Sequence, residues 1–73
     1  MTKKINPSAF GARLRQLREA AGLSVTELAL RAGMQRTHVH ALESGGKGRQ
    51  PSWLTVSRLA LALGIPAEKF YQS

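Results

Sequence analysis

Four glycines divide this 73-residue chain at intervals of about one short helix and a turn: Gly22, Gly33, Gly45 and Gly64. Each follows a run of apolar residues at helical spacing. Helices commonly end at such a position in a left-handed residue, which glycine adopts without steric cost. No segment alternates apolar and polar residues as a half-buried strand does. The sequence therefore predicts an all-α domain.

Helical periodicity fills the first two intervals between these glycines. Between Pro7 and Ala21, apolar residues such as Phe10 and Leu14 recur at helical spacing with arginines between them, which predicts an amphipathic first helix. The segment from Ser24 to Glu27 has the pattern of a capping box, in which a hydroxyl and a carboxylate each satisfy an unpaired backbone amide. A short second helix is expected to begin there and to end at Gly33.

The third interval predicts another short helix, from Gln35 to Ser44. Val39 and Leu42 would face the core from one side of it. Because only a tight glycine turn separates it from the second helix, helices 2 and 3 are predicted to form a helix-turn-helix.

The last part of the chain predicts a closing helix and a final turn. Ser52 caps a fourth helix whose apolar residues are Trp53, Val56, Leu59, Ala60 and Leu63. A helical turn follows Pro66 over residues 67–71 and packs Phe70 underneath. The prediction is a compact five-helix domain over residues 7–73, preceded by a flexible arm over residues 1–6.

Charge and cysteine content restrict the partners and the compartment. Eleven Lys and Arg residues against four acidic residues give a formal net charge of +7, which favours a polyanionic partner such as nucleic acid or an anionic membrane surface. The absence of cysteine excludes disulfides and fits a reducing cytoplasm. No stretch approaches the roughly 20 apolar residues of a membrane-spanning helix. We expect a soluble cytoplasmic protein that does not act at a membrane.

Catalytic and metal chemistry find no support in the residue pattern. No acid/base pair, nucleophile with its base or phosphate-cradling loop can be assembled at these spacings, so an enzyme, a cofactor or a small-molecule ligand is not expected. His38 and His40 are two positions apart and point to different sides of a helix, with no cysteine to complete a metal site. His38 is expected to pack partly at the edge of the turn.

Several short motifs together resemble the phage repressor and Cro-like, or Xre, family of helix-turn-helix domains, over about residues 10–70. The matching motifs are Leu14-Arg15-x-Leu17-Arg18, Gly22-Leu23-Ser24, Glu27-Leu28-Ala29, Gly33, Val39-x-x-Leu42-Glu43-x-Gly45 and Leu59-Ala60-x-Ala62-Leu63-Gly64. The resemblance implies a repressor-like transcriptional regulator that binds double-stranded DNA sequence-specifically. It also implies a structural ion pair between Arg18 and Glu43.

The third helix is the one that would lie in the major groove. If Val39 and Leu42 face the core, the opposite face is exposed, and its residues Arg36, Thr37, His40 and Ala41 are the candidates for base contacts. The candidates for phosphate contacts are Thr26, Gln35, Ser44, Lys47 and Arg49. The alternative interpretation of this face is a solvated polar surface with no partner.

The sequence departs from the family pattern at the start of helix 2 and in the loop after helix 3. The family often has a glutamine that bonds a phosphate where this chain has Val25, so that contact is lost or replaced, with Thr26 as a candidate. The loop from Gly45 to Pro51 is also longer than usual. The alternative function is a protein-interaction module or antitoxin component that uses the same fold.

Helix 4 carries more apolar residues than one core-facing stripe requires. Leu54 and Leu61 are seven positions apart with Arg58 between them, and this strip predicts a weak homodimer through helix 4. Exposed leucines without a partner are the alternative. Trp53 is in register with Val56, so it is expected to anchor the core rather than to stack on single-stranded nucleic acid.

Overall fold

The computed structural model describes residues 7–44 and 51–70 of the chain. The predicted arm over residues 1–6, the segment over residues 45–50 that contains Lys47 and Arg49, and residues 71–73 lie outside the described residues. The described elements are α1 (Pro7–Ala20), α2 (Val25–Ala32), α3 (Arg36–Glu43), α4 (Trp53–Leu63) and a 3-10 turn (Ala67–Phe70).

Within these described ranges the architecture is all-helical and contains no strand, as predicted. The prediction of five helices was wrong in its last member, because residues 67–70 form a single 3-10 turn and only four α-helices precede it. The amide of Lys69 donates to the carbonyl of Pro66 at 3.1 Å, a bond to the third residue back instead of the fourth. Segments with this bonding rarely exceed three or four residues, which is the length of this turn.

The predicted caps define the helix ends. The Ser24 hydroxyl accepts from the amide of Glu27 at 3.0 Å, and the Glu27 carboxylate accepts from the amide of Ser24 at 2.8 Å. This complete capping box begins α2, and the Ser52 hydroxyl caps α4 in the same way by accepting from the amide of Thr55. The hydrogen bond from the Ser24 amide is the largest cause of a lowered pKa of Glu27, because it stabilises the ionised carboxylate.

The core is apolar and draws on every described element. Its buried residues are Phe10, Leu14, Leu23, Leu28, Ala29, Ala32, Val39, Leu42, Val56, Leu59, Ala60 and Phe70. The rings of Phe10 and Phe70 stack with centroids 5.1 Å apart, which joins the first helix to the final turn. At the side of this core, Gly11 allows α1 to approach α3 so closely that an added Cβ would meet the carbonyl oxygens of Leu42 and Glu43.

Trp53 does not belong to this core, and the prediction that it anchors the core was wrong. Its side chain is 66% exposed, whereas Val56 and Leu59 on the same helix are fully buried. Periodicity places Trp53 in line with Val56, but α4 meets the core only from Val56 onward. The first turn of the helix extends beyond the edge of the core, so Trp53, which lies in this turn, is exposed.

Candidate nucleic-acid interface

The turn between α2 and α3 sets the direction of the third helix. Gly33 adopts a left-handed conformation with φ of 68°, and the amide of Met34 reaches back to the carbonyl of Ala29 at 2.9 Å. This arrangement ends α2 and satisfies its last carbonyls within one tight turn. Gln35 then caps α3 through its backbone, and its side chain makes no capping hydrogen bond.

One side of α3 is buried and the other is exposed. Val39 and Leu42 pack into the core at 0% and 8% exposure. The structure places the proposed base-contacting residues on the exposed side: Arg36, Thr37, His40 and Ala41. His38 is also exposed, so the expectation that it packs partly at the turn was wrong.

An ion pair between Arg18 and Glu43 ties α1 to the last residue of α3. Arg18 Nε donates to Glu43 Oε2 at 2.6 Å and Arg18 Nη2 donates to Oε1 at 3.1 Å. The two side chains are only 13% and 8% exposed, and Arg18 Nη1 also donates to the carbonyl of Leu23 at 2.8 Å. The bond to Glu43 raises the pKa of Arg18. This bidentate contact fixes the C-terminal end of α3 against α1.

The residues proposed to contact phosphate differ in whether their polar groups are already hydrogen-bonded. Thr26 is exposed in the first turn of α2, and Gln35 is exposed before α3. The Ser44 hydroxyl already donates to the carbonyls of His40 and Ala41, at 3.0 and 3.1 Å. Since a hydroxyl has one proton, a bond from Ser44 to a phosphate requires this proton to leave the end of α3.

A cleft of about 290 Å³ lies beside this end of α3. Its walls are formed by Arg15, Arg18, Val25, His40, Glu43 and Ser44. Sequence reasoning did not select Arg15 as a site residue. The signal was its spacing: Arg15 lies three positions before Arg18, so the two side chains share a flank of α1.

The predicted strip on α4 is exposed. Leu54 and Leu61 are 61% and 83% exposed, and Arg58 lies on the surface between them. The side chain of Arg58 reaches toward the end of α2, where its Nη1 lies 3.9 Å from the position that a Cβ of Gly33 would take. Leu30 on α2 is also 76% exposed.

Two other kinds of site, a metal site and a membrane span, have no counterpart in the described residues. They contain no group of three or more His, Cys, Asp or Glu side chains placed to hold a metal ion. Among the same residues, no helix combines the length and the apolar character needed to cross a bilayer.

Comparison with known proteins identifies this arrangement. The family model described as "Helix-turn-helix domain" matches residues 9–70. The Bacillus subtilis protein RghR, an HTH-type transcriptional repressor, is 40% identical over 60 residues, which cover 82% of this chain and 44% of RghR. This chain spans less than half the length of the curated relatives it matches.

Two solved structures share the fold. The restriction-modification controller protein C.AhdI from Aeromonas hydrophila has a TM-score of 0.81 and 39% sequence identity, over 88% of this chain and 94% of that one. SinR, a master regulator for biofilm formation solved in complex with DNA, has a TM-score of 0.80 at 24% identity, over 86% of this chain and 98% of its own, and shows the fold alone. From the family match together with the α2-turn-α3 geometry, the chain belongs to the helix-turn-helix domain family, and its resemblance to phage repressor and Cro-like (Xre) domains is confirmed.

Proposed function

We propose that this protein is a transcriptional regulator that binds double-stranded DNA sequence-specifically, with α3 in the major groove. The observation that carries the proposal is the exposed face of α3, whose opposite face is fixed in the core by Val39 and Leu42. The names of its relatives agree with this function, since RghR is an HTH-type transcriptional repressor and C.AhdI is a controller protein. The proposed function is consistent with the cytoplasmic location that the sequence predicts.

Each residue of the exposed face has a chemical role in this proposal. Arg36, in the first turn of α3, donates to O6 and N7 of a guanine, the commonest specific contact in the major groove. The methyl groups of Thr37 and Ala41 contact a thymine methyl group. His40, one turn further along, donates to a base edge or to a phosphate.

The phosphate contacts provide affinity without sequence preference. We assign this role to Thr26, Gln35 and Ser44 on the described elements, and to Lys47 and Arg49 from the sequence alone. Each phosphate that is neutralised releases counterions, so the binding constant falls with salt at a log-log slope of about −0.9 for each contact.

Selection of bound sites from random duplexes tests sequence-specific binding directly. A recurring motif is expected, and bulk binding with no motif would contradict it. On the selected site, Arg36→Ala should cost about 1–3 kcal/mol and relax the preference at one base pair, whereas Lys47→Ala should weaken binding to all duplexes about equally. Equal losses on specific and random DNA for both variants would contradict the division into base and phosphate contacts.

We also propose that two copies associate weakly through the strip formed by Leu54, Arg58 and Leu61. The support is the exposure of both leucines on one side of α4 while Val56 and Leu59 fill the core from the other side. Burying each leucine would contribute about 1.5–3 kcal/mol before the entropy of association is subtracted, which suffices for a weak dimer. Half-sites would then lie about 34 Å apart, and the operator would be a near-palindrome.

The double variant Leu54→Glu with Leu61→Glu tests this assembly. It should keep the helicity of the wild-type monomer, because neither side chain fills the core, and should lose cooperative binding to a paired site. Sedimentation and circular dichroism measure the two effects. Unchanged dimerisation would place the interface elsewhere.

The same exposed strip and the apolar Val25 favour one other candidate, a protein-interaction module or antitoxin component. This candidate requires a protein partner instead of DNA. Failure to bind any duplex at low salt, together with tight binding of a defined protein, would favour it over the regulator.

A further inference from the structure

The cleft at the end of α3 borders the proposed base-contacting surface. It lies between α1, the first residue of α2 and the last turn of α3. His40 and Ser44 belong both to its walls and to the exposed part of α3. A helix in the major groove is flanked by the phosphates that edge the groove. A phosphate beside the C-terminal half of α3 would therefore meet this cleft.

Two arginines line the cleft, and one of them is already bonded to three acceptors. Arg18 uses Nε and Nη2 on Glu43 and uses Nη1 on the carbonyl of Leu23. The two N–H groups that remain, one on each Nη, belong to a side chain that is only 13% exposed, so an anion would gain full access to Arg18 only by breaking its pair with Glu43, whose side chain is 8% exposed. Breaking such a pair leaves a poorly solvated carboxylate without its partner, which is costly. Arg18 is therefore a structural wall of the cleft.

Arg15 is in the opposite situation. Its Nε donates to Glu19 Oε2 at 3.1 Å, and the two side chains are 65% and 56% exposed. Among the described residues this is the hydrogen bond that Arg15 makes, which leaves its Nη groups for a further acceptor. An exposed pair one helical turn apart contributes little to stability. Arg15 can thus bind an anion while Glu19 continues to hold the guanidinium through Nε.

The other walls supply little that could replace this charge. Val25 is half-buried, packs against the core and presents an apolar surface. The carboxylate of Glu43 is occupied by Arg18, and the Ser44 hydroxyl donates to backbone carbonyls. His40 can donate one hydrogen bond from across the cleft when its imidazole is neutral.

We infer that Arg15 binds a phosphate of the DNA backbone in this cleft, with His40 on the opposite wall, as a sequence-independent contact that acts together with α3. The inference rests on the proposed DNA-binding function. It assigns to α1 a direct contact with the duplex, whereas the sequence assigned the phosphate contacts only to residues after α1.

The variant Arg15→Gln tests the contact on both the selected site and a random duplex. Losing one phosphate contact reduces the log-log salt slope of binding by about 0.9. The ratio of wild-type to variant affinity should therefore fall by about 3.5-fold between 50 and 200 mM salt. We expect a loss of about 10-fold at the lower salt and about 3-fold at the higher, equal on the two duplexes. A larger loss of affinity on one of the two duplexes than on the other would overturn the assignment to the DNA backbone.

Arg13→Gln is the matched control, because it removes the same charge from the same helix. Arg13 Nε donates to the carbonyl of Lys69 at 2.9 Å, so this side chain lies against the 3-10 turn and not in the cleft. Circular dichroism and urea unfolding establish that both variants are folded. If Arg13→Gln weakens binding as much as Arg15→Gln does, the effect is one of net charge and the inference is wrong.

A second variant keeps the charge of Arg15 and changes its partner. Glu19→Gln should strengthen binding to both duplexes, and this gain should disappear when Arg15→Gln is combined with it. Simple addition of the two effects in the double variant would show that they act independently, and would overturn the contact. Wild-type protein that binds no duplex would instead contradict the proposed function itself.

Inorganic phosphate serves as a probe of the cleft alone. We expect added phosphate to shift the NMR signals of the amides of Val25, His40 and Ser44 in the wild type but not in Arg15→Gln. This result would support an oxyanion-binding site in the cleft. If these shifts occur while Arg15→Gln binds DNA like the wild type, the cleft takes free phosphate and the inference about the DNA backbone is wrong.

Discussion

A methyl group added at Gly11 tests how closely α1 and α3 approach. A Cβ at this position would lie 2.7 Å from the carbonyl oxygen of Glu43 and closer still to that of Leu42. Both are backbone atoms, so they cannot rotate away as the end of a long side chain would. In an unhindered helix, Gly→Ala stabilises by about 1 kcal/mol. At Gly11 the clash opposes that gain.

The clash should outweigh the gain in helix propensity. Overpacking of a well-packed core costs about 1–3 kcal/mol, and contact with rigid backbone favours the upper end. We therefore expect Gly11→Ala to lower the free energy of unfolding by about 2 kcal/mol, a large part of the roughly 4–11 kcal/mol expected for a domain of this length. The displacement of α3 should also stretch the bonds between Arg18 and Glu43 and weaken DNA binding.

Urea unfolding followed by circular dichroism measures the change in stability. Ala12→Gly is the matched control, because Ala12 is exposed on the same helix and the reverse substitution there should cost about 1 kcal/mol through propensity alone. If Gly11→Ala instead stabilises the domain by the propensity gain, the two helices lie further apart than described and the reasoning fails.

Two other substitutions test the polar contacts that hold the helices. Glu43→Gln should destabilise the domain by about 2 kcal/mol, which is less than the 3–5 kcal/mol lost on breaking a fully buried pair, because the amide keeps a hydrogen bond to Arg18. Recovery of stability in the apolar double variant Arg18→Met with Glu43→Leu would support this explanation. A Glu43→Gln variant as stable as the wild type would contradict it. The lowered pKa of Glu27 contributes stability that is present above its ordinary value of 4.5 and is lost as the pH falls through the lower folded value. Glu27→Gln should remove this part of the pH dependence of the free energy of unfolding, measured by urea titrations between pH 7 and 2. Glu68→Gln is the control, and if the two variants lose stability with acid in the same way, the capping box does not shift the titration of Glu27.

Local signals predicted the helix ends correctly because the groups that cap a helix lie within a few residues of it. Ser24 and Glu27 satisfy each other's amides across three positions, and Gly33 needs only its own freedom to adopt a left-handed φ. The burial of Val39 and Leu42 followed equally from periodicity within one helix.

The errors and omissions concern distances between elements. Trp53 has core periodicity, but its burial depends on where the core ends, which α4 alone does not specify. The close approach at Gly11 depends on α3, whose residues lie about 30 positions later. The sequence alone therefore gives no reason for a glycine, which disfavours helix, at this position of α1. The place of Arg15 in a cleft likewise depends on three helices meeting.

The junction between α1 and the 3-10 turn has a consequence for how the domain is made. Arg13 and Lys69 are 56 positions apart in sequence, yet they are joined by a hydrogen bond beside the stacked rings of Phe10 and Phe70. During synthesis, α1 leaves the ribosome long before its partner in this junction exists. The apolar surface around Phe10 must therefore stay uncovered until residue 70 has emerged, so the domain completes its core only after its final turn has been translated.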